Sequence, residues 1–286
     1  MNKIKYFFQF IIISIFFLIF KIIGIRASSF LGGKTLEIIG PLFRSKQVIY
    51  SNIKKAFPNI NESEKNKIFH QMWNNYGRVF AEYMFMKKFR NDQLSQNILV
   101  EGSEILEKIK NDNQTVVFIS GHFSNFELMA MQIEKVGINV AAVYRPLNNI
   151  FLNPVMEKIR KTHICKKQIK KGIGGLKELL KLTKDGYSTA LMIDQRVSQG
   201  IKTNFFNEKA FTTTIPAQLV KKFNSPVVPV FIERFDGVKF KIIFQNPINF
   251  SEEKSIEEIT LELNKVLEEM IIKNPKHWIW SHNRWK

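Results

Sequence analysis

The first stretch of the chain is almost wholly apolar: Tyr6 to Ile25 reads YFFQFIIISIFFLIFKIIGI, with Lys21 as its one charge. At ~1.5 Å rise per residue a helix of about this length crosses a hydrocarbon core of ~30 Å, so a membrane anchor is expected over residues 1–26. A removable signal peptide is the rival reading, because Lys3 and Lys5 precede the run, but Ile25-Arg26-Ala27 fits a small-x-small cleavage site poorly. A tilted, partly interfacial helix with Lys21 snorkelling fits the same pattern. Residues 28–57 then pattern as helices broken near Gly40-Pro41. Ser63 is expected to open a further helix, with Phe69, Met72, Trp73, Tyr76, Phe80 and Tyr83 recurring at helical spacing.

From Thr115 the pattern changes to strand alternating with helix. Apolar runs at 115–120, 140–144, 188–193 and 227–232 are separated by segments of helical period starting near Asn125 and at 151–161, 174–183 and 215–223. Continuous apolar runs between helices belong to strands buried on both faces of a largely parallel sheet. VKFKIIF (238–244) partly alternates, which suits an antiparallel edge. A last helix, with Ile256, Ile259, Leu263, Val266, Leu267 and Met270 on one face, precedes a Trp-rich tail. The expected fold class is therefore α/β, a largely parallel central sheet flanked by helices, as one domain over residues 27–286.

Length and composition agree with a single core: 286 residues at 45% hydrophobic are ample for one α/β domain and short for two. Lys+Arg 43 against Asp+Glu 25 gives a net charge of +18, which suits an anionic partner, although an AT-rich coding bias would also enrich lysine. No recognition motif accompanies the charge, so nucleic acid is not the expected partner. The single cysteine, Cys165, excludes an internal disulfide framework and points to a reducing compartment. Lys21, Arg26, Lys34 and Arg44 follow the apolar segment while Lys3 and Lys5 precede it, which by the positive-inside bias puts the following domain in the cytoplasm.

Candidate chemistry falls just after strand ends, where open α/β sheets bind ligands. His122 follows the first run, Arg145 the second, Asp194 and Gln195 the third. In Gly121-His122-Phe123-Ser124-Asn125-Phe126-Glu127 a base and a carboxylate stand at the passage from strand to helix. On one continuous helix their five-residue offset would aim them about 140° apart, so pairing requires His122 in the turn. Ser124 as N-cap places Glu127 at the third helical position, and Ser124-x-x-Glu127 is then equally a capping box with no other duty. The functional alternative makes neutral His122 the base for a hydroxyl nucleophile, with Glu127 orienting the ring. Cys165 lacks an orienting partner, and Lys170 to Gly175 lacks phosphate-loop spacing and reads as a helix start. His277 and His282, in an aromatic tail, fit packing or interface anchoring better than a metal site.

GHFSNFE resembles the His-x4-acidic motif of glycerolipid acyltransferases, and its neighbours resemble the late acyltransferases of lipid A biosynthesis. The matching blocks are NIKKAFPN (52–59), NNYGRVFAE (74–82), YRPLNN (144–149), Asp194-Gln195, FFNEKAFTTT (205–214), SPVVPV (225–230) and HWIWSHNRW (277–285), in order along nearly the whole chain. The resemblance implies transfer of a secondary acyl chain, commonly lauroyl or myristoyl, from acyl carrier protein to a 3-hydroxyacyl group of a phosphorylated lipid A precursor, at the cytoplasmic face of the inner membrane. It implies no metal or redox cofactor. It makes His122 the general base and Glu127 its acidic partner, and counts Arg145, Arg160, Asp194 and Gln195 as substrate-binding positions. The two arginines are assigned to phosphate or carboxylate, which guanidinium forks bind bidentately, with a structural ion pair as the plainer account of each. A hydrogen-bonded turn accounts for Asp194-Gln195 as well. Asn207 departs from the glycine common after paired Phe residues; Asn tolerates positive φ, so the turn is expected to survive. A glycerophospholipid or another glycolipid is the alternative acceptor.

Overall fold

The computed structural model describes residues 2–286. Four helices come first: α1 (Asn2–Ile23), α2 (Ile25–Ile39), α3 (Lys46–Ala56) and α4 (Glu62–Glu82), with a 3-10 turn at Gly40–Leu42. The apolar segment is thus helical, and Gly24 at φ 80° turns the chain out of it. Lys3–Ile23 is long and apolar enough to span a membrane, and Ile4, Phe8, Leu18 and Ile22 are exposed along it. Its other face rests on the rest of the molecule: Phe17 and Phe20 are buried, Phe17 packs on Phe80, and the Asn149 amide donates to Tyr6 O at 2.8 Å. Asn61, two residues before the expected Ser63, caps α4 by accepting from Glu64 N at 2.8 Å. α2 lies along α4 with backbones touching; a Cβ on Gly77 would stand 1.9 Å from Gly32 O, so both positions require glycine.

A short helix α5 (Met86–Arg90) leads into the sheet domain: β1 (Ile98–Glu101), α6 (Ser103–Asn111), β2 (Val117–Ser120), α7 (Glu127–Lys135), β3 (Val140–Tyr144), α8 (Leu152–Ile159), β4 (Lys167–Lys170), α9 (Ile173–Lys184) and β5 (Ser188–Met192). There follow the hairpin β6 (Ile201–Phe205) and β7 (Glu208–Thr212), then α10 (Ile215–Phe223), β8 (Val227–Asp236), β9 (Lys239–Phe244) and α11 (Ile256–Lys273). Seven strands form one sheet in the order β1-β9-β8-β2-β5-β3-β4, parallel except for the β8–β9 pair. This is the expected α/β class. All four residues of β2 are buried, as its central place dictates. One detail differs from expectation: β9 is not an edge, because β1 pairs with it in parallel on its far side.

The hairpin turns on Phe206 and Asn207, at φ 51° and 60°. Two positive φ values in a two-residue loop are the signature of a turn matched to strand twist, and Asn207 supplies the second as expected. The chain's last residues fold back on this hairpin: Arg284, fully buried, donates to Phe211 O and to Thr212 Oγ1 and stacks over Phe205.

Candidate active site

The turn from β2 to α7 carries His122, and it does not form the expected capping box. Ser124 adopts φ 42°, and α7 starts only at Glu127, with Phe126 at the cap position and no side-chain cap. The Ser124 side chain is occupied elsewhere: its Oγ accepts from Arg234 N at 3.0 Å and lies 3.1 Å from His277 Nδ1, and its amide donates to His277 O at 3.1 Å. Burial, with Arg234 and other cations nearby, pushes the His277 pKa down to about 3, so the ring is neutral. Beneath the turn, Glu82 and Arg234 form a buried ion pair at 2.5 Å, and the Asn125 amide donates to Glu82 at 2.9 Å. The left-handed turn is thus bolted to α4, β8 and the C-terminal tail.

His122 is paired with Asp194, across 72 residues of sequence. Nδ1 of the ring lies 2.8 Å from Asp194 Oδ1, the His122 amide donates to Oδ2 at 2.8 Å, and the Trp278 indole donates to the same oxygen at 2.9 Å. Burial alone would raise the Asp194 pKa; the His122 charge and the converging N–H groups overcome that and hold it below the ordinary aspartate value. A buried carboxylate on Nδ1 leaves Nε2 as the ring nitrogen able to take a proton. The ring meets Phe126 edge-on at 4.8 Å between centroids, which limits its swing.

Glu127 faces different partners. Its carboxylate accepts from Arg160 Nε and Nη2 at 3.0 and 2.8 Å and from the Tyr83 hydroxyl. Burial raises its pKa despite the adjacent guanidinium. No hydrogen bond joins it to His122 among the described residues, so the pairing expected from local spacing gives way to two pairs, His122 with Asp194 and Glu127 with Arg160. The reason is geometric: Glu127 opens α7 and turns toward α4 and α8, whereas the His122 ring lies over the end of β5. Arg160 is aimed by a π-turn, Arg160–Ile164, that widens the end of α8.

His122 and the Glu127–Arg160 pair border one cavity of about 470 Å³. His122, Glu127, Arg160, Arg145, Lys171, Gln195 and His282 edge it, and its depth is apolar, with Ile119, Met129, Ile133, Ala142, Ala190 and Val230. Arg145 and Gln195 both line the cavity. Arg160 reaches the cavity already paired, and Asp194, 1% exposed, pairs with His122 and does not line the space. Lys171 lies close enough to Arg145 for their like charges, with burial as the larger cause, to lower the lysine pKa. Tyr83 and Lys171 stand at the site outside the matching sequence blocks, whereas Trp278 and His282 come to it from the C-terminal block. Cys165 is sealed, donates to Val140 O at 3.1 Å, and its thiol pKa is pushed up by burial to about 12.

The sequence model of the bacterial lipid A biosynthesis acyltransferases matches residues 1–286. The chain belongs to that family. Among its relatives are the lipid A biosynthesis lauroyltransferase of Escherichia coli K12, 24% identical over 250 residues that cover 85% of this chain and 79% of that protein. The lipid A biosynthesis myristoyltransferase of the same organism is 22% identical over 254 residues, 87% of this chain and 76% of that one. A solved 1-acyl-sn-glycerophosphate acyltransferase, PlsC of Thermotoga maritima, aligns over 96% of this chain and 99% of its own at 15% identity with a TM-score of 0.43. The protein is an O-acyltransferase, and its N-terminal apolar helix is compatible with a membrane anchor.

Proposed function

We propose that this acyltransferase moves a secondary fatty-acyl chain, lauroyl or myristoyl, from acyl carrier protein to the hydroxyl of a 3-hydroxyacyl chain on a phosphorylated lipid A precursor. The observation that carries the reading is the His122–Asp194 pair at 2.8 Å beside a cavity with an apolar floor. The acceptor hydroxyl meets Nε2 of His122, which takes its proton as the oxygen attacks the thioester carbonyl; collapse of the adduct breaks the C–S bond, and the carrier thiolate recovers the proton. Asp194 fixes the tautomer and stabilises the imidazolium. Glu127 stays in the reacting centre as the counter-ion that holds Arg160 against the cavity. Arg145, with Lys171 beside it, receives the acceptor's phosphate, and Gln195 contacts the acceptor.

The floor accommodates the acyl chain. Each buried methylene contributes about 0.8 kcal/mol, roughly fourfold in affinity, so the apolar depth discriminates between neighbouring chain lengths. In the same reading residues 1–26 anchor the protein in the inner membrane, residues 27–286 form the transferase on the cytoplasmic side, and the +18 net charge attracts the acidic carrier protein and the anionic acceptor.

The test incubates membranes containing the protein with lauroyl-, myristoyl- and palmitoyl-acyl carrier protein and a lipid A precursor, and reads product mass. A gain of one acyl chain that disappears in His122→Ala supports the reading and gives the chain length. Transfer to a lysophospholipid with none to the precursor would replace the acceptor by a glycerophospholipid.

A further inference from the structure

His282 projects from the C-terminal tail to the edge of the same cavity. Its backbone is held firmly: the buried Asn52 amide donates to both Trp280 O and His282 O at 2.8 Å, and Arg284, two residues on, is locked to β7. The imidazole itself has no hydrogen bond among the described residues. Nδ1 is sealed from solvent without a partner, which leaves Nε2 as the nitrogen that opens on the cavity. With Nδ1 sealed, Nε2 is the one polar atom of this ring that a bound group can reach.

The surroundings fix its form. Burial is the largest influence and lowers the pKa to about 4; Asp194 opposes this, while Arg284, His122 and Arg44 reinforce it. The ring is therefore neutral at physiological pH, with one proton to place. A sealed N–H is costlier to leave unpaired than a sealed lone pair. Nδ1 is then the bare nitrogen, and Nε2 carries the proton into the cavity.

Resting on the acyl-transfer reading above, we propose that His282 is a second catalytic histidine, whose Nε2–H donates to the acyl carbonyl oxygen as attack converts it to an oxyanion. When the hydroxyl oxygen bonds to the carbonyl carbon, the carbonyl π pair moves to that oxygen and His122 Nε2 takes the hydroxyl proton. His282 loses no proton and gains a stronger hydrogen bond to the oxyanion. When the adduct collapses, the pair returns and the leaving group departs with the His122 proton. A neutral donor suits the task, since it favours the charged adduct over the uncharged ground state without adding a second cation beside the His122 imidazolium.

The experiment compares single-turnover rate, acceptor KM and melting temperature for wild type, His282→Gln and His282→Leu, with His122→Ala as control. His282→Gln offers an amide N–H within reach of the Nε2 position; His282→Leu has comparable bulk and no donor. Loss of one oxyanion donor costs about 10²-fold in rate, so the Leu variant falls by that factor at unchanged KM while the Gln variant recovers at least about tenfold of it. Because the ring does not titrate there, the wild-type to Leu ratio stays constant from about pH 6 to 9. A Leu variant at wild-type rate, equal losses in Leu and Gln, or a ratio that varies with pH would each overturn the assignment. An inactive wild type, or an active His122→Ala, would refute the underlying transfer reading instead.

Discussion

Asp194→Asn separates the pair in the structure from the pair suggested by local spacing. Two N–H groups, the His122 amide and the Trp278 indole, converge on Oδ2, so an asparagine keeps its oxygen there and presents its NH₂ to the His122 ring. That NH₂ donates to Nδ1, which must then be bare, and the ring proton moves to Nε2. The atom meant to accept the hydroxyl proton is already protonated. Lost orientation alone, at about 1.5–3 kcal/mol for a hydrogen bond to a charged group, would cost roughly 10- to 150-fold. The wrong tautomer raises this to about 10³- to 10⁴-fold in the rate of acyl transfer, with acceptor KM little changed. The assay is single-turnover transfer followed by product mass, with the melting temperature in detergent as the check on folding. A folded Asp194→Asn protein within about tenfold of the wild-type rate would refute the tautomer argument and return the orienting role to Glu127.

Trp278→Phe keeps an aromatic ring but removes the indole donor to Asp194, and the transfer rate is expected to fall roughly tenfold at pH 7.5, measured in the same assay. Asp194 has a lowered folded-state pKa, so its stabilising contribution is complete above the ordinary value of 3.8 and is lost as pH falls below it; acid melting curves of wild type and Asp194→Asn should converge only in that range. Glu82→Gln strands the buried Arg234 and should cost about 3–5 kcal/mol, seen as a clear drop in melting temperature. Cys165→Ala should leave the transfer rate unchanged, and native protein should resist maleimide at neutral pH, since the thiol is buried and titrates near 12.

What could be read from sequence was what is coded locally. β2, β3, β5 and β8 announce themselves as continuous apolar runs because both faces of those strands are covered, and α10 was bounded by Ile215 and Phe223 as expected. β1 and β4 were invisible for the opposite reason: ILVE alternates half-buried and exposed over four residues, and KQIK buries one side chain. Missing β1 made β9 look like an edge. At the site, His122, Glu127, Arg145, Arg160, Asp194 and Gln195 were all legible as candidates, but their pairing was not. Spacing within GHFSNFE describes neighbours along the chain, and Asp194 reaches His122 only because β2 and β5 lie side by side in parallel register. His282 was hidden by its company, since an aromatic tail reads as packing until the fold brings its ring to the cavity.

The glycine contact between α2 and α4 leaves no slack between those helices. The outward apolar side chains of α1 and α2, and Leu42 and Phe43 just beyond, are clamped to the helix whose far end delivers Glu82 and Tyr83. Wherever that outer face settles on lipid, the altitude of the cavity above the surface is set by the same clamp. A reacting hydroxyl must rise to this level, because the protein cannot stoop to meet it. On the acyl-transfer reading, a lipid that carries its hydroxyl on too short a tether would fail to reach the cavity at all.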